Sequence, residues 1–104
     1  MMNDMKHLQQ RIKTWADKRM PERDIPGRLR KLGEEHGEFG EAVTRYMMSP
    51  TADNAIAAGI EAADMAMILT DSLDMMGLSL LKCMQLKMQI IEARPIEEFV
   101  EFKG

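Results

Sequence analysis

Apolar residues recur along this chain at three- and four-residue intervals, the period of an amphipathic helix, and the β-branched alternation of strands is missing. Met, Ala, Leu, Glu, Lys and Gln dominate, all good helix formers. Breakers between Pro21 and Gly27, at Ser49-Pro50 and at Gly77, with Pro95 as the last, divide the sequence into four helical segments of about 3–19, 26–48, 51–76 and 79–94. Pro26 suits a first helical turn. Thr51 or Asp53 suits an N-cap, as does Ser79. Gly77 suits the left-handed position after a helix end. In the first segment Leu8, Ile12 and Trp15 share a stripe. In the second, Leu32, Phe39, Val43 and Tyr46 do so.

The third segment is the unusual one. Ala55, Ile56, Ala57, Ala58, Ile60, Ala62, Ala63, Met65, Ala66, Met67, Ile68 and Leu69 leave it apolar almost all round, which predicts a buried helix. Asn54, Glu61, Asp64 and Asp71 interrupt it along one stripe. Buried carboxylates without partners are costly, so a metal ion, a basic side chain or protonation must compensate them. The second segment offers a matching set, with Glu35 and Glu38 flanking its core stripe and Glu34 and Glu41 pointing toward solvent. Gly33, Gly37 and Gly40 form a further line and predict that a helix or a ligand approaches the backbone there. Asp71 is read either as a ligand or as the partner of a basic residue.

Acid pairs three residues apart on two facing helices make a hard-oxygen cage, the ligand type that Mg²⁺ prefers. Two such ions could hold a triphosphate and activate a water. On the fourth segment Lys87 and Arg94 share a direction with the apolar residues Leu80, Met84 and Ile91. They are candidates for phosphate contact or for ion pairs with Asp71 or Asp74. Lys31 lies one turn before Glu35 and is read first as an i,i+4 ion pair. Trp15 is read as a core or interface residue. His7 and His36 are too few for a zinc site.

Composition narrows the classes. The chain has 104 residues, 45% hydrophobic and 30% charged, enough for a single domain over 1–104 with a short tail at about 95–104. Ile96, Phe99, Val100 and Phe102 give that tail an apolar character, so it is expected to pack on the body or on a neighbouring subunit. The net charge of −3 and the lack of a basic tract argue against a nucleic-acid polymer as partner. Cys83 is the single cysteine, no apolar run approaches a membrane span, and the N-terminal stretch lacks the apolar core of a signal peptide. A cytoplasmic protein is expected.

The segment Lys31-Leu32-Gly33-Glu34-Glu35-His36-Gly37-Glu38 and the later Glu61-Ala62-Ala63-Asp64 resemble, in order and spacing, the EExxE…ExxD motifs of MazG-like nucleoside triphosphate pyrophosphohydrolases. One position departs from the pattern, since Ile91 stands where an Asn is common. The resemblance implies an all-α bundle completed by oligomerisation, as a dimer or a dimer of dimers, with the site made at the subunit interface. It implies hydrolysis of an NTP or dNTP to the monophosphate and pyrophosphate. Mg²⁺, or Mn²⁺ in its place, would be held by Glu35, Glu38, Glu61 and Asp64. Glu34, with Glu35 and Glu38, would serve catalysis by orienting the water. Lys31, Lys87 and Arg94 would contact phosphate, with Asp71 behind the ligands. Two other readings stay open: a catalytically silent helical interaction module, and a dUTP/dCTP-type or phosphoribosyl-ATP pyrophosphatase branch.

Overall fold

A computed structural model describes residues 2–94 of the chain, and the expected tail at 95–104 lies outside them. The described residues form four α-helices: α1 (Met2–Arg19), α2 (Ile25–Met48), α3 (Ala52–Met75) and α4 (Leu80–Glu92). Local chemistry sets each boundary. Asp24 caps α2 by accepting from the Gly27 N–H at 2.8 Å, ahead of Pro26 in the first turn. A Cβ on Gly27 would come within 2.8 Å of that Asp24 oxygen, so the glycine is what lets the cap close. Thr51 caps α3 by accepting from Asn54 N–H, and Ser79 caps α4 by accepting from Lys82 N–H.

Between α3 and α4 the chain turns at Gly77, whose φ of +77° is reached without strain only by glycine. There the Leu78 N–H donates to the Leu73 carbonyl at 2.8 Å and the Gly77 N–H to the Asp74 carbonyl at 2.9 Å, the bond pair of a Schellman ending.

The short 49–51 connection folds α2 and α3 into an antiparallel hairpin, and these two helices make the main packing contact of the chain. α1 lies against α3. α4 touches α3 more lightly and is tied to α1 through Gln9, whose side-chain oxygen accepts from the Leu81 N–H at 3.1 Å. The buried hydrophobic residues are few: Ile12, Ala16, Ala42 and Ile68. They shift the buried stripe of α1 toward Ala16, leaving Leu8 and Trp15 exposed, so Trp15 is not a core residue of the protomer. On α2 the buried line runs through Glu35 and Ala42, and Tyr46 lies outside it.

The expectation of a wholly buried α3 is corrected. Its inner side packs on α2, but Ile56, Ile60, Met67 and Leu69 are exposed, with Met67 at the edge of the cleft beside Trp15 of α1. The line of Gly33, Gly37 and Gly40 is likewise open, and a Cβ on any of them would meet nothing within 4 Å in this chain.

One buried ion cluster fastens the α1–α2 connection to α3. Asp71, 2% exposed, accepts from Arg23 Nε at 2.8 Å and from Arg23 Nη2 at 2.8 Å, while Arg28 Nε lies 3.3 Å away. Arg23 also reaches Asp17 at 2.8 Å, and Lys13 bridges Asp17 and Asp74 at 3.2 and 3.3 Å. The hydrogen bonds to Asp71 hold the Arg23 guanidinium even more firmly protonated than usual. Removing one member strands the other charges. Asp71→Ala is therefore expected to lower stability by about 3–5 kcal/mol, and Asp24→Ala, which removes the α2 cap, by only ~1 kcal/mol. Urea midpoints of the two variants check this order.

Candidate functional site

Antiparallel pairing of α2 and α3 brings together carboxylates that are distant in sequence. One carboxylate oxygen from each of Glu35, Glu38 and Glu61 falls within 4.8 Å of the others. Glu35 is buried at 6% exposure, Glu61 is half-buried and Glu38 is exposed, so the group opens to solvent on the Glu38 side. Burial rather than flanking is the finding for Glu35. It sits in the line of Arg28, Leu32, Phe39 and Ala42, which are all buried or half-buried, and not beside that line.

Two oxygens in this group, Glu35 Oε2 and Glu61 Oε2, are buried and have no hydrogen-bond partner. A buried acceptor left without a donor is expensive, more so when charged. The other Glu35 oxygen, Oε1, lies 3.3 Å from Lys31 Nζ, the expected i,i+4 pair, and Lys31 also reaches Glu34 at 3.4 Å. Lys31 is about half exposed, so this pair is a weak compensator and engages only the outer oxygen. The hydrogen-bonding contact and charge of Glu35, with burial and the charge of Glu61 behind them, raise the Glu38 carboxyl above its ordinary 4.5. Lys31 is in turn raised by its bonds to Glu35 and Glu34. Such a set of hard oxygens could hold a divalent cation, and the two orphaned atoms are where the fit is best.

The remaining sequence candidates fall in different places. Asp64 is half-buried on α3, one turn beyond Glu61, and stands outside the group of three. Glu34 is exposed beside Lys31. Asp71 is ten residues along α3 from Glu61, about 15 Å of helix, and its carboxylate is occupied by Arg23 and Arg28. Of the two readings for Asp71, the basic-partner one is what the structure shows. Lys87 is exposed, not inward, because no described helix lies over that side of α4. The proposed pairing of Lys87 or Arg94 with Asp71 or Asp74 is replaced by Arg23, Arg28 and Lys13, which take those acids. Arg94 is half-buried at the end of the described chain.

Sequence reasoning missed Arg23 and Arg28. Their spacing from Asp71 carries no periodic signal: the α1–α2 turn brings Arg23 there, and the packing of α2 on α3 brings Arg28. Two larger clefts lie elsewhere. One of about 590 Å³ sits between α1 and the Gly77 turn, and one of about 610 Å³ sits beside Trp15. Neither is lined by the clustered glutamates, and neither offers a set of convergent unpaired oxygens. No protein-family model, curated protein or solved structure matches the chain.

The raised Glu38 carboxyl fixes the sign of a pH effect. Its contribution to stability is fully present below the ordinary value of 4.5 and is lost as pH rises through the higher folded value. Without divalent cations, Glu38→Gln should therefore melt higher than the wild type at pH 7, with the difference closing below pH ~4.5. Melting curves across that range check it, and a wild type that melts higher at pH 7 would reject the repulsion.

Proposed function

We propose that this chain is a Mg²⁺-dependent nucleoside triphosphate pyrophosphohydrolase of the MazG-like kind, acting in the cytoplasm as a homo-oligomer. The observation that carries the reading is the pair of buried, unpartnered oxygens of Glu35 and Glu61 within a three-carboxylate group. These residues belong to the two motifs whose order resembles that family. A helical module that only binds a partner has no use for two stranded carboxylate oxygens in its hairpin. Mn²⁺ would serve in place of Mg²⁺, since both accept carboxylate oxygens.

In this reading Glu35, Glu38 and Glu61 hold the cation, and Asp64, one turn further along α3, completes the set as the site closes on substrate. The bound ion would supply Lewis-acid polarisation of the phosphate oxygens. Glu38 is the one acid of the three that faces solvent. It is thus suited to take a proton from a water at the mouth of the group. Glu34 lies beside Lys31 on the exposed side and can orient that water. Lys31, held between Glu34 and Glu35, is the cation nearest to where a triphosphate would lie. Lys87 and Arg94 belong to the fourth helix and would reach phosphate only if assembly or substrate brings α4 over the site. The reaction joins water oxygen to the α-phosphorus and releases pyrophosphate. Base and sugar choice, including dUTP/dCTP-type or phosphoribosyl-ATP substrates, rests with walls outside the acid group.

Pyrophosphate release over the common NTPs and dNTPs tests the reading. Turnover is expected to require Mg²⁺, to vanish in Glu61→Gln and Asp64→Asn, and to leave helix content unchanged. Near-wild-type turnover in both variants, or no turnover with any nucleotide, would sink it. Lys87→Met should leave the melting temperature almost unmoved, because Lys87 pairs with no acid among the described residues. If α4 closes over the site as proposed, the same variant raises the Michaelis constant. An unchanged Michaelis constant removes Lys87 from the phosphate contacts.

A further inference from the structure

The side of α1 that meets the α3–α4 turn carries charge that the rest of the structure does not use. Lys6, Gln9, Gln10 and Lys13 fall within about 100° of arc on that helix. Together with Ser79 and Lys82 at the start of α4 they line the cleft of about 590 Å³. That volume lies within the ~300–1,000 Å³ of small-molecule sites. None of Glu35, Glu38 and Glu61 lines it, so it is a separate place from the acid group.

The charges around this cleft do not balance within it. Asp17, Asp71 and Asp74 are matched by Lys13, Arg23 and Arg28, three acids against three bases in one network. The acids on the cleft wall, Asp71 and Asp74, both belong to that network. Lys6 and Lys82 stand outside it and pair with no acid among the described residues. Two uncompensated positive charges, from two different helices, thus border one open volume. The first turn of α4 adds little, because its N–H groups are already taken: Leu81 N–H donates to Gln9 at 3.1 Å and Lys82 N–H to the Ser79 hydroxyl at 3.3 Å. The attraction is that of the ammonium groups, compact point charges on flexible stems.

We infer that the α1–α4 cleft is a binding site for a small diphosphate-type anion, with Lys6 and Lys82 as its two cationic ends. Two ammonium groups on separate elements suit a ligand with two charged centres, and the amide of Gln10 adds a neutral donor on the same wall. Binding ties together the two helices that are joined least firmly. α4 touches α3 lightly and holds α1 through Gln9. The anion therefore fixes α4, the helix that carries Lys87 and Arg94. Pyrophosphate is the anion that the proposed reaction releases, and the cleft then lets product set the position of α4. That consequence rests on the function proposed above, whereas the binding itself does not.

The test uses the full chain without divalent cations and inorganic pyrophosphate as the probe, at fixed pH and ionic strength. The two histidines of the chain report where the anion goes. His7 lines the cleft, and His36 follows Glu35 on α2. Proton NMR is expected to show the His7 ring signals moving saturably with pyrophosphate. Those of His36, and of the Trp15 indole beside the other cleft, stay in place. Lys6→Gln and Lys82→Gln should each weaken binding by roughly tenfold. Both side chains are exposed, so the fold is retained. Lys31→Gln, at the acid group, should leave the affinity unchanged. No saturable movement of His7 at millimolar pyrophosphate, wild-type affinity in the Lys6→Gln/Lys82→Gln double variant, or movement of His36 in place of His7 would each overturn the site. A chain that hydrolyses no nucleotide and still binds pyrophosphate at His7 loses the proposed function and keeps the cleft, so the two failures are separate results.

Discussion

Two carboxylates that face one another across the α2–α3 hairpin set the terms for the rest of this molecule. Glu35 and Glu61 each bury an oxygen that nothing among the described residues satisfies. Glu38 lies beside them, and its contact with Glu35, with burial and the charge of Glu61 behind it, raises its carboxyl above the ordinary value. A hairpin that carries such a defect needs stability from elsewhere. It has an N-cap on each of its helices, at Asp24 and Thr51, and the Asp71 ion cluster at the far end of α3. The strain and the clamp are separated by about three turns of α3, so the clamp can hold the helix in place without neutralising the acids.

That separation also divides the charged residues of the chain into two populations. Arg23, Arg28 and Lys13 are consumed by Asp17, Asp71 and Asp74 and hold helices together. Lys31 stands at the acid group and engages its outer oxygens only. The inward oxygens are left for a ligand that brings its own positive charge, and a divalent cation is the simplest species that does so. The sparse core follows the same logic. Few of the described side chains are fully buried, and the apolar outer side of α3 is exposed at Ile56 and Ile60. A small chain that spends part of its hairpin on carboxylates has less apolar surface to bury internally, and association is the ordinary remedy.

Much of this was legible in the residues. Helix number, the caps at Thr51 and Ser79, the Gly77 turn and the Lys31–Glu35 pair all rest on local chemistry, acting within a few residues, and they appear where that chemistry puts them. The convergence of Glu35, Glu38 and Glu61 was legible too, because helical phase and a short hairpin connection suffice to bring them together. What periodicity could not supply was which apolar side faces a neighbour within the same chain. Hence the exposed ridge of α3 and the outward Lys87 were misplaced, and of the two readings of Trp15 the core one falls. Arg23 escaped for a related reason: it sits in the turn between α1 and α2, which has no period, while Arg28 lies in the first turns of α2 and only the pairing of that helix with α3 aims it at Asp71. The glycine line of α2 predicted a close approach by a helix or a ligand, and no described residue of this chain makes it.

The central claim is that the stranded oxygens of Glu35 and Glu61 are cation ligands. The most direct measurement is Mn²⁺ binding followed by electron paramagnetic resonance, in which free Mn²⁺ is counted without any substrate. The account predicts saturable binding to the wild-type chain, displacement by Mg²⁺, and loss of that binding in both Glu35→Gln and Glu61→Gln with the helices intact. Wild-type protein that leaves Mn²⁺ free, or the two variants binding it as the wild type does, would contradict the account.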